Sequence, residues 1–142
     1  MKLRKEDALI KDIVRQLLHD DNIVCGEAVN PRCLGECKQY LADMKYCDLP
    51  AEYLALLSYA NGIRSHNAVL FGVFPNDASN DIVAANEHYG SESKLLLLGR
   101  TDLDVLVYDA ENKDYRVRST QDLSLAEVFD NLEDALRYWF GM

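Results

Sequence analysis

The chain has 142 residues, with 24 Asp and Glu against 15 Lys and Arg, a formal net charge of −9 and a pI near 4.7. That length holds a single domain, 1–142, with a core of its own. Its 49% apolar content argues against disorder, and its acidity makes nucleic acid or an anionic membrane surface a poor partner. The longest aliphatic run, Leu95 to Leu98, is far below a membrane span, and no apolar signal core follows Met1, so the expected compartment is the cytosol.

Leu9, Ile10, Ile13, Val14, Leu17 and Leu18 recur at three- and four-residue steps and predict an amphipathic helix over about 5–19, ended by Asp20-Asp21-Asn22. Asn30-Pro31 reads as an N-cap with proline at the first helical position, and Cys33, Cys37, Tyr40, Leu41 and Met44 fall on one stripe after it. Leu49-Pro50 opens a third helix that buries Tyr53, Leu54, Leu57 and Ala60 and stops at Asn61-Gly62. The period then changes. The run from Val69 to Phe74 reads as a strand, 79–89 as a short helix, Leu95 to Gly99 as a central strand, and 105–108 and 115–118 as a hairpin around the loop 110–114. Asp130-x-x-Glu133 resembles a capping box, and Phe129, Leu132, Leu136, Trp139 and Phe140 give a closing helix an apolar face. The predicted fold is α+β: an antiparallel meander with N-terminal helices and a C-terminal helix packed on one face.

Charge is uneven. The chain from Asn76 onward carries six basic residues against fourteen acidic ones, which is either a solvated surface or a field that steers a basic partner. Asp102, Asp104, Asp109, Glu111 and Asp114 are expected to crowd one end of the strand pair. Turn formation and solvation account for such residues, and a docking surface for a basic partner is the functional alternative. The spacing does not continue into a calcium loop.

The four cysteines contain no C-x-x-C pair. Cys33 and Cys37, four apart on an apolar stripe, read as buried reduced thiols, with zinc or redox chemistry as weaker options. His19, His66 and His88 belong to no metal or nucleophile signature, and no phosphate-binding glycine loop is present. No residue pattern points to a catalytic residue, a metal site or a cofactor.

The run from Leu49 to Trp139 resembles the SUKH superfamily, which takes in fungal cell-wall glucan-synthesis regulators and bacterial toxin-immunity proteins. The resemblance rests on Leu49-Pro50-x-x-Tyr53, Asn61-Gly62, Leu70-Phe71-Gly72, Asp81-Ile82 with Asn86, the strand ending in Gly99, Asp104-x-Leu106-x-Tyr108-Asp109, and Phe129, Leu132 and Leu136. Residues 1–48 form a loosely matched helical lead-in and 49–140 the family core. The turn before the tyrosine strand, Gly99 to Asp104, holds one glycine where the family pattern is glycine-rich. The resemblance implies a non-enzymatic protein-binding module, in a bacterial setting an immunity protein that occludes a basic toxin domain. The expected contact residues are Asp102, Asp104, Glu111 and Asp114, then Arg64 and His66. The alternative is a regulatory adaptor of the glucan-synthesis type, and a more remote one a small metal-dependent hydrolase using the aspartates.

Overall fold

Among the residues that the structure describes, seven strands hydrogen-bond in the order in which they occur in the chain. The computed structural model describes residues 5–74, 76–77, 79–89, 94–121 and 125–142, with the backbone alone for 5–7, 88–89 and 125–126. Among them are helices α1 (Lys5–Leu18), α2 (Pro31–Asp43), α3 (Ala51–Leu57), α4 (Ile82–Tyr89) and α5 (Leu132–Trp139). The strands are β1 (Val24–Cys25), β2 (Ile63–Arg64), β3 (Val69–Leu70), β4 (Leu95–Arg100), β5 (Asp104–Asp109), β6 (Asp114–Ser119) and β7 (Leu125–Phe129). All neighbours are antiparallel, giving one meander with β4 at its centre. This is the expected α+β class.

Cross-strand partners in an antiparallel pair share a face, so the register sorts the side chains. One row is Ile63, Leu70, Gly99, Leu106 and Val117, and its four side chains are buried. The indole of Trp139 lies against Gly99, and its Nε1 donates to the Val69 carbonyl at 3.2 Å. This is therefore the face on which α5 closes. Glu52 of α3 ties that layer together. Its carboxylate accepts from the Tyr115 hydroxyl at 3.3 Å and from the Leu132 amide at 3.1 Å, the latter at the start of α5, where a negative charge suits the helix end. Ile10, Ile13, Val14 and Leu17 of α1 are buried, whereas Leu9 and Leu18, expected on the same side, are exposed because a helix shows only one stripe to its neighbours.

Several local expectations are corrected. Phe129 belongs to β7 and not to the closing helix. Asn131, one residue later than the expected cap, accepts from the Asp134 amide at 2.8 Å. On α2 only Cys37 and Leu41 are buried, while Tyr40 reaches across to Glu87 of α4 and Met44 is exposed. The segment 69–74 keeps only two residues as strand. The Phe71 amide still donates to the Leu98 carbonyl, and the segment then leaves β4: the Gly72 amide donates to the Asn80 carbonyl, and the Gly72 carbonyl accepts from the Ile82 amide.

Candidate functional site

Asn61, Gly72, Asp81 and Asn86 hold a frame of backbone contacts. Asn61 Oδ1 accepts from the Val73 amide at 2.7 Å while its Nδ2 donates to the Val73 carbonyl at 2.9 Å. Asn86, fully buried, repeats the pattern on β4, accepting from the Leu97 amide at 2.9 Å and donating to the Leu97 carbonyl at 3.0 Å. Each amide side chain thus stands in for a strand where the ladder is interrupted. Gly72 must be glycine, because a Cβ there would lie 2.6 Å from Asn61 Oδ1 and within 2.8 Å of the Asn61 backbone. Gly62 adopts φ +88°, which side chains with a Cβ rarely tolerate. Asp81 accepts from the Phe74 and Ala84 amides, the second as a cap on α4. Burial nevertheless holds its carboxyl above the ordinary range. These residues build and hold the fold.

The acidic residues do not form one cluster. Asp102 and Asp104 stand at the β4–β5 turn, whereas Glu111 and Asp114 stand at the β5–β6 turn with Asp109. Five residue steps of β5 separate the two ends, about 17 Å. The antiparallel connection places consecutive turns at opposite ends, and that overturns the expected grouping. At the far end the carboxylates are engaged. Glu111 pairs with Lys94 at 3.7 Å, and Asp114 binds Arg116 at 2.8 Å. Asp109 lies 3.6 Å from the same guanidinium, and its Oδ1 accepts from the Glu111 and Asn112 amides. Burial alone would raise the Asp109 pKa. Hydrogen bonds from Asn112 and Glu111 and the charge of Arg116 bring it below the usual carboxylate range.

The near end joins residues expected to be separate choices. Register places the 65–68 turn beside the 101–103 turn, so His66 and Arg64 share an end of the sheet with Asp102 and Asp104. His66 Nε2 lies 3.2 Å from Asn22 Oδ1. Between the two aspartates Leu103 stands 66% exposed. Its turn is tightly held. The Leu103 and Asp104 amides donate to Thr101 Oγ1 at 3.2 and 2.9 Å, and the Thr101 amide donates to the Asp104 carbonyl at 2.8 Å. The amide and hydroxyl of Thr120 both donate to the Leu103 carbonyl, at 2.9 and 3.0 Å. A large apolar side chain is thereby presented on a fixed turn with a carboxylate on either side. Leu103 and its two threonines are the residues that the sequence reading missed, although a leucine inside Thr-Asp-Leu-Asp is out of place in a polar turn.

A cleft of about 220 Å³ opens beside Arg64. Val24, Val69 and Phe74 give it apolar walls, with Asp77 and Asn80 at its edge. Hydrogen bonds from Ser79 and Asn80, with a smaller effect of Arg64, hold Asp77 below the usual carboxylate range. The cysteines are all free thiols, of which Cys37 alone is buried. Burial, with the nearby Asp81 charge, pushes its thiol up to about 12 and leaves it an inert apolar filler. Among the described residues no three His, Cys, Asp or Glu side chains are placed to share a metal ion, and no helix is long and apolar enough to cross a membrane.

No family model matches this chain, and no curated protein matches it.

Proposed function

We propose that the chain is a non-enzymatic protein-binding module of the SUKH type, a bacterial immunity protein that binds and occludes a basic toxin domain in the cytosol. The observation that carries this reading is the 101–104 turn: Leu103 is 66% exposed between two carboxylates on a backbone held by Thr101 and Thr120. An apolar anchor ringed by charge, already fixed before binding, is the arrangement that lowers the ordering cost of association. The family-like residues support the same reading, because Asn61, Gly72, Asp81 and Asn86 are spent on backbone contacts and leave the turns to vary with the partner. The regulatory adaptor uses the same surface and differs only in the partner. A hydrolase built on the aspartates has no comparable support, since its carboxylates stand at opposite ends of β5.

The test is parallel affinity capture from the source cells with the wild-type chain and with Leu103→Ala and Asp102→Lys/Asp104→Lys variants. The expected outcome is one basic protein held by the wild type and released by salt. The variants should lose it, and the wild-type chain should suppress its purified activity. A synthesis or signalling protein lost on the same variants favours the adaptor. Equal retention on the variants removes the turn from the binding surface.

A further inference from the structure

The face of the sheet turned away from Trp139 carries a second row. By register it runs Val24, Arg64, Val69, Arg100, Val105 and Arg118 across six adjacent strands, with arginine on every second one. Arg64 and Arg100 are exposed and Val24 is 53% exposed, while Arg118 is half-buried. Val105, the cross-strand partner of both Arg100 and Arg118, is buried. Arg116, on the same face, has Asp109 and Asp114 as partners. Arg100 and Arg118 have no ionic partner among the described residues, and the Nε of Arg118 is buried without a hydrogen bond. In a chain with 24 acidic residues, two guanidiniums that lack a carboxylate mark a place where an outside acid fits.

The spacing narrows the occupant. Alternate strands lie about 9.6 Å apart, and one heptad of α-helix rises about 10.5 Å. A helix lying across the strands with acids at i, i+7 and i+14 meets the three arginines in turn. Its apolar residues at i+3 or i+4 fall over Val24 and Val69 and beside the cleft at Arg64, since Val105 is already buried. We propose that this row seats an acidic amphipathic helix of a partner protein. A phosphate polymer has the charge to meet the arginines but gives no apolar side chain to Val24 and Val69. This inference adjoins the Leu103 turn at Arg64 and Arg100 but uses the sheet face and does not depend on that turn.

The test uses three labelled probes in fluorescence anisotropy. One is a helical peptide of about 18 residues, roughly 27 Å long, with Glu at heptad spacing and Leu between. The others are a peptide of the same composition with the glutamates spread around the helix, and a single-stranded DNA oligonucleotide. The heptad peptide is expected to bind at least about tenfold more tightly than the rearranged one, and Arg100→Glu to weaken it by about as much. Arg32→Glu, on exposed α2, is expected to leave binding unchanged. Should Arg100→Glu lower the thermal midpoint, Arg64→Gln with Arg100→Gln reads the same loss without reversing charge. Equal binding of the two peptides, no binding of either, or binding that ignores the arginine substitutions overturns the proposal, as does tighter binding of the oligonucleotide.

Discussion

Asn86 makes two hydrogen bonds to Leu97 from a fully buried position, one as acceptor and one as donor. Truncation leaves a buried amide and carbonyl unpaired, and each such group costs about 1–3 kcal/mol. Asn86→Ala is therefore expected to lower stability by about 2–4 kcal/mol in urea titration, and Asn61→Ala by less, because its site is only partly buried. Asp109 gives a pH signature. Its folded pKa lies below the ordinary value of about 3.9, so folding favours the charged form. Its contribution is complete above the unfolded value and is lost as the pH falls through the folded one. Asp109→Asn is expected to be less stable than the wild type at neutral pH, with the gap closing in denaturation curves as the pH falls below the ordinary carboxylate value of about 3.9. A sequence pattern gives no sign that Asn61 and Asn86 replace a strand, since nothing local separates an asparagine that ends a turn from one that reaches a backbone eleven or twelve residues away.

At the scale of elements, α5 closes the layer through Trp139, which is 7% exposed and anchored to Val69. Trp139→Ala is expected to cost about 3–5 kcal/mol by chemical denaturation. A loss below about 1 kcal/mol would mean that the helix is not docked through this residue. The long elements were legible: α1 and α2 by their helical period, the central β4 as a continuous apolar run, and the β5–β6 pair as a hairpin with an alternating return strand. The two-residue strand β1 and the edge strand β7 were not. Val24-Cys25 is too short to show alternation, and Phe129 at the end of β7 lies three residues before Leu132, which imitates helical spacing. The split of the acidic residues was open to topology alone: once β5 is a strand, the residues before and after it cannot share an end.

For the molecule as a whole, charge is the feature a partner meets first. If the Leu103 turn binds a basic surface, the association rate should fall steeply as ionic strength rises, with a smaller change in the dissociation rate. Stopped-flow mixing with the captured partner between low and physiological salt measures this, and a flat association rate would remove electrostatic steering from the account. The strand order gives the molecule another property. Each strand pairs with its chain neighbour, and the β2–β3, β4–β5, β5–β6 and β6–β7 pairs close only short loops, whereas β1–β2 spans α2 and α3 and β3–β4 spans α4. Helix α1 reaches furthest along the chain. Gln16 meets Arg137 across 121 positions, and the helix packs against an element made last. Refolding is thus divided into a local stage, in which the short hairpins form, and a distant one, in which α1 docks on α3 and α5 and the strands separated by helices come together.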